Sequence, residues 1–227
     1  MRFLNTIINS ALNVIFPIKC VSCGKNGEDF CLKCLSDVPC AERENPEWIY
    51  SLYDYRHPPI KKALWLLKYR GKKRLANMFA EVLYDKILEE LSDLRVMENF
   101  TNVILMPIPL SSLRYKERGY NQAELICKEL IKINELRHGI DMELEKDILI
   151  KPRETKHQAR IENKRERLKN IIGSFAIKNV EKNMNSLKRR NIILIDDIAT
   201  TGATLTEARK VLKQAGARKV IAFTVAH

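Results

Sequence analysis

An α/β fold with a mostly parallel sheet flanked by helices is predicted by three observations. Short apolar runs alternate with segments of helical periodicity along most of the chain, the pattern of strands connected by crossover helices. The chain has 227 residues, 45% of them hydrophobic, enough for one full domain with a buried core and a small appendage. No internal repeat or low-complexity linker interrupts it.

The elements follow in order. In MRFLNTIINSALNVIFPIKC, Phe3, Leu4, Ile7, Ile8, Ala11, Leu12 and Ile15 recur at helical spacing, which predicts an amphipathic helix packed on the domain. Contact with a membrane surface is the alternative. The segment fits a signal peptide poorly: Arg2 is its only early charge, asparagines interrupt the apolar stretch, and no A-x-A site follows. No stretch approaches the ~18 apolar residues of a membrane span, so a soluble, cytoplasmic chain is expected.

Cys20-x2-Cys23 and Cys31-x2-Cys34 come next, with Cys40 close behind and Cys127 far away. Two disulfides would require secretion, which nothing else in the sequence supports. In a reducing compartment, two CxxC pairs supply the four thiolates of a tetrahedral structural Zn2+ site. Gly24 and Gly27 suit the tight turns of such a knuckle. Residues 1–45 are therefore expected to form an N-terminal helix and a four-cysteine zinc finger, and residues 46–227 the main domain. Cys40 is a possible substitute ligand, and Cys127 lies in an apolar helical pattern, as a core residue does.

Residues 46–56 are aromatic and β-prone, suggesting a hairpin beside the main sheet. Helical periodicity covers 58–69 and 73–91, broken at Gly71. VILMPIP (103–109) predicts a buried strand ended by its prolines. A helix is expected over 120–137, then strands at DILIKP (147–152), GSFAIK (173–178) and IILI (192–195). A helix from Ala203 to Ala215 shows an apolar face at Leu205, Ala208, Leu212 and Ala215 and stops at Gly216. VIAFTV (220–225) closes the sheet.

Between the last strand–helix pair lies LIDDIATTGAT (194–204). Ligands of open α/β sheets bind at the carboxyl ends of strands. Here Asp196 and Asp197 can accept hydrogen bonds from vicinal hydroxyls. Backbone N–H groups and hydroxyls from Ala199, Thr200, Thr201, Gly202, Ala203 and Thr204 form an anion site at a helix N-terminus. Gly202 lets a phosphate approach the backbone. The ligand implied is a ribose 5-phosphate. Neither G-x-x-x-x-G-K-[ST] nor G-x-G-x-x-G is present, which removes the usual nucleotide loops. The plainer reading, a capped turn starting a helix, accounts for one such residue rather than the whole run.

Ile192 to Thr204 resembles the phosphoribosyl pyrophosphate (PRPP) motif of type I phosphoribosyltransferases. Together with the four-cysteine knuckle, KYRG (68–71), PIPLSSLRYKERGYNQAE (107–124) and TKHQARIENKRERLKN (155–170), it resembles the ComF family of competence proteins over nearly the whole chain and in that family's order. The resemblance implies a type I phosphoribosyltransferase-like domain behind a zinc finger. It also implies a role in natural transformation, handling incoming single-stranded DNA in the cytoplasm alongside an ATP-driven DNA translocase. Carried over by position, Asp196 and Asp197 would hold the ribose hydroxyls and act as the catalytic pair, and Thr200 to Thr204 the 5-phosphate. The loop after VILMPIP would face pyrophosphate, and the basic loop around His157 to Arg167 would be the hood loop.

A net charge of +12, from 40 Lys+Arg against 28 Asp+Glu, points to polyanionic partners. Tyr55 to Ala80 holds eight Lys/Arg and no acidic residue, and Lys151 to Arg190 holds thirteen against four. Solvated surface charge is the ordinary account of such clusters. Yet Arg114 and Arg118 lie one turn apart if their loop is helical, beside Tyr115 and Tyr120, and guanidinium with aromatic groups suits phosphates and stacked bases. Lys68, Arg70, Arg114, Arg118, His157, Arg165 and Arg167 are thus candidates for nucleic acid or pyrophosphate. Two functions remain. One is a DNA-handling protein with a PRPP-binding, or other phosphoribosyl-binding, site. The other is an active phosphoribosyltransferase using PRPP with Mg2+ on an unidentified base or amine. Turnover is left open between them.

Overall fold

The structure, a computed structural model, describes residues 18–41, 46–152 and 171–227. The expected N-terminal helix and the basic loop carrying His157, Arg165 and Arg167 lie outside these residues.

The chain builds β1 (Ile49–Tyr53), β2 (Val103–Pro107), β3 (Met142–Leu144), β4 (Leu149–Ile150), β5 (Ala176–Ile177), β6 (Asn191–Ile198) and β7 (Lys219–Ala226). Five of these form one sheet in the order β1-β7-β6-β2-β3, with every neighbouring pair parallel. The helices are α1 (Leu32–Ser36), α2 (Pro58–Tyr69), α3 (Arg74–Glu98), α4 (Ser112–Arg118), α5 (Gln122–Leu136), α6 (Val180–Leu187) and α7 (Ala203–Gln214).

Both faces of the sheet are covered, which is why its strands read as unbroken apolar runs. Along β6, Ile193 and Ile195 face a core shared with α2, α3 and α5. Ile192 and Leu194 face the opposite core, shared with α6 and α7. Phe79, Tyr84, Phe100 and Phe223 are wholly buried on the first side; truncating one to Ala would cost about 3–5 kcal/mol. The Tyr84 hydroxyl donates to Asn134 Oδ1 at 3.0 Å, and Asn134 Nδ2 donates to the Ile140 carbonyl at 2.9 Å. This buried network ties α3 to α5 and to the turn before β3. A Cβ on Gly139 would collide with both Tyr84 and Asn134, so that turn needs glycine.

Several expectations are corrected. Residues 46–56 contribute the single strand β1 (Ile49–Tyr53), not a hairpin. After β1 the Asp54 carboxylate accepts the Arg56 N–H at 2.8 Å, a turn that leads into the Pro58 start of α2. DILIKP and GSFAIK contribute only β4 and β5, an antiparallel pair off the main sheet. The edge next to β2 is instead taken by β3, held by Val103 N–H to Asp141 O (3.1 Å) and Glu145 N–H to Leu105 O (3.0 Å). β7 does not close the sheet but inserts between β1 and β6. The helix expected over 120–137 is α5 (Gln122–Leu136); a separate helix, α4, precedes it and ends where Gly119 adopts φ +74°. α6 is an addition to the expected elements.

Candidate functional site

β6 carries Asp196 and Asp197 near its carboxyl end, and the chain leaves the sheet at Ala199, whose N–H donates to Ala226 O at 2.9 Å. It then turns through Thr200 and Thr201 to Gly202. Gly202 adopts φ +68° and caps α7 without a side chain, and a Cβ there would lie 3.2 Å from Ile49 Cδ1. The Thr206 N–H donates to Gly202 O at 2.8 Å. The first turn of α7 directs its remaining N–H groups and the positive end of its dipole toward the cleft.

The cleft has a volume of about 410 Å³. Asp196, Asp197 and the whole run from Ala199 to Thr204 line one side. Ser111, Arg114 and Arg118 reach it from α4 and its N-cap, Lys68 from α2, and Lys151 from the end of β4. Asn121 caps α5, accepting the Ala123 N–H at 3.0 Å and donating to Ile108 O at 2.9 Å, which fixes how the α4 segment meets the sheet.

The acidic pair is already partly neutralised. Lys68 Nζ lies 2.9 Å from Asp197 Oδ1, with both side chains largely covered. Burial, and next the charge of Asp197, push the Asp196 carboxyl up to about 7; the Asp197 N–H, Lys68 and Lys151 work the other way. The site combines hydroxyl acceptors, an anion-binding turn and four cationic side chains (Lys68, Arg114, Arg118 and Lys151). Such a set can bind a phosphorylated polyol.

Of the basic residues singled out in the sequence, Lys68, Arg114 and Arg118 meet in this cleft. Arg70 does not line it; its guanidinium lies 5.2 Å from the centre of the Trp65 ring. Tyr120 donates from its hydroxyl to the Leu67 carbonyl, bracing α2, while Tyr115 stays exposed. Sequence reasoning missed Trp65, Tyr69, Ser111, Asn121, Gln122 and Lys151. Trp65 and Tyr69 had a usable signal, four residues apart on a helix beside Lys68. Lys151, just past the two-residue β4, stood out only as the first residue of a basic stretch.

The second cluster is sulfur. The Sγ atoms of Cys20, Cys23, Cys31 and Cys34 all lie within 4.8 Å of one another, and Cys23 and Cys31 approach to 3.7 Å. The set can hold a metal ion. Burial opposes ionisation of Cys20, yet N–H groups of Cys31, Cys23 and Ser22 bring its thiol down to about 6. Cys40 and Cys127 stand outside the cluster. The module is bound to the main domain: Lys62 Nζ donates to Val21 O at 3.1 Å, and Lys72 pairs with Asp29 at 3.2 Å.

No helix among the described residues is long and apolar enough to cross a membrane. The phosphoribosyl transferase domain family model matches residues 146–227. The chain is 32% identical over 176 residues to Competence protein ComFC of Bacillus subtilis, covering 77% of this chain and 62% of that protein, less than two thirds of its length. It is 25% identical over 189 residues to DNA utilization protein YhgH of Salmonella typhimurium (81% of this chain, 75% of that protein). With Competence protein F of Haemophilus influenzae it shares 26% identity over 208 residues (90% and 82%).

Proposed function

Because the chain belongs to the ComF family, we propose that it handles incoming single-stranded DNA in the cytoplasm during natural transformation, and that its cleft binds PRPP. One observation carries this reading. The acidic pair and the Thr200–Thr204 turn open onto the same cleft as Arg114 and Arg118, so a ribose 5-phosphate and further phosphates fit side by side. Asp196 and Asp197 would receive the ribose hydroxyls, Thr200 to Thr204 the 5-phosphate, and Arg114, Arg118 and Lys151 the pyrophosphate. The carboxylates are hard oxygen donors of the kind that share Mg2+ with phosphates, and Mg2+ would supply charge neutralisation at the pyrophosphate.

The sulfur cluster fits zinc. A tetrahedral site with Zn–S bonds of about 2.3 Å has sulfurs about 3.8 Å apart, against 3.7 Å between Cys23 and Cys31. An ATP-driven DNA translocase of the uptake machinery is the partner we assign.

The retained acidic pair also favours a second reading, turnover as a phosphoribosyltransferase. In that reaction an acceptor base or amine displaces pyrophosphate with inversion at the anomeric carbon. The protein would supply no nucleophile, only cations facing the leaving group.

Titration with PRPP-Mg2+ and with single-stranded DNA, separately and in competition, tests both. Asp196→Asn with Asp197→Asn is expected to weaken PRPP binding by ~2 kcal/mol or more, as charged hydrogen-bond partners are removed, and to leave DNA binding equal or stronger. Unchanged PRPP affinity in the folded double variant would overturn the assignment. Efficient turnover with a defined acceptor, in a protein that fails to retain single-stranded DNA at about 0.15 M salt, would replace the first reading with the second.

A further inference from the structure

Trp65 and Tyr69 are among the large apolar side chains that α2 leaves in the open, 45% and 52% exposed. They sit one helical turn apart with ring centres 6.1 Å from each other, tilted by 47°. Both line the mouth of the cleft, on the helix whose Lys68 reaches the acidic pair. Each ring already carries a guanidinium: Arg70 lies 5.2 Å from the Trp65 centroid and Arg118 5.1 Å from that of Tyr69. Gln122 Oε1 accepts from Arg118 Nη1 at 2.9 Å, orienting the Arg118 head, while its buried Nε has no hydrogen-bond partner among the described residues.

We propose that Trp65 and Tyr69 form a stacking platform for a nucleobase at the mouth of the cleft, with Arg118 holding the phosphate beside it. Exposed rings give up water readily to another flat face, and stacking on an aromatic side chain is tolerant of base identity. The charge around the rings selects the ligand. Arg70 and Arg118 lie against the rings and Arg114 lines the same cleft, so the platform favours a base that carries phosphate over an acceptor without charge. This rests on the nucleic-acid reading above and adds where on the surface the bases lie. The base can arrive on a single strand or on a free nucleotide.

The two tryptophans, Trp48 and Trp65, allow a direct test in the full chain. In a Trp48→Phe protein, Trp65 fluorescence should be quenched by oligo(dT). It should be unmoved by an abasic oligomer of equal length. Trp65→Leu with Tyr69→Leu keeps apolar bulk on α2 but removes both ring faces. Its affinity for oligo(dT) should fall about tenfold or more, with the salt slope and the abasic affinity unchanged. Oligo(dT) binding that ignores both the substitutions and Trp65 would overturn the platform and leave the DNA reading standing. Quenching by adenosine 5′-monophosphate but not by ribose 5-phosphate, in a chain that does not retain oligo(dT), would keep the platform, name the free nucleotide as its ligand and overturn the DNA reading. Failure of every probe would overturn both.

Discussion

Asp196 occupies a place where a carboxylate is costly. Its folded value near 7, set by burial and then by Asp197, stands above the ordinary 3.8. A raised value means that the folded protein holds its proton more tightly than the unfolded chain. The favourable contribution is therefore full below about 4 and is lost as pH rises toward about 7. Asp196→Asn removes the titrating group and can still accept the Asp197 N–H. Measured by denaturant unfolding, the variant should gain on the wild type between pH 4 and 8, by up to about 4 kcal/mol. A difference that does not change with pH would show that the carboxylate is better solvated than the cleft suggests. The pair itself was legible in the sequence because the two carboxylates and the glycine turn adjoin. The partnership of Lys68 with Asp197 was not, because it spans two elements that only the sheet brings together.

At the scale of elements, the cysteine module braces the corner between α2 and α3. Cys20, Val21, Phe30, Leu35 and Val38 share one apolar cluster with Leu64, Leu67 and Leu75, and Asp29 faces both Lys72 and Arg74. Cys20→Ser should therefore abolish a stoichiometry of about one Zn per chain. Hydrogen exchange should then rise through residues 18–41 and along α2, while β6 and β7 stay protected. Zinc retained at full stoichiometry would remove Cys20 from the ligand set. Elements with a strong local pattern were readable: α2, the start of α3, β2, α5, β6, α7 and β7. Those fixed by pairing were not. β3, with the sequence MEL, offers no apolar run, and its place depends on the Asn134 network. β4 and β5 are apolar enough for a central strand, and periodicity is silent about which neighbour a strand chooses.

For the molecule as a whole, the charge of +12 sets how it meets a polyanion from a distance, and the cleft decides what is kept. Binding to single strands is expected to fall steeply with salt and to depend little on sequence, since counterion release drives it. Arg114→Gln with Arg118→Gln should flatten the salt slope by ~0.7 for each phosphate the protein no longer neutralises. An unaltered slope would move the DNA track off α4. The sheet order has a further consequence, for synthesis rather than binding. Among the described strands β1 pairs with β7 alone, and the Ser51–Thr224 hydroxyl pair bridges 173 positions of sequence. The turn after the acidic pair is tied down by Ala226. On the ribosome, the cysteine knuckle emerges early, and β1 can meet residues 39–41 through Ala41 N–H to Leu52 O while its place in the main sheet waits for β7. A nascent chain stays blind to its ligand until residues 219–226 are clear of the exit tunnel.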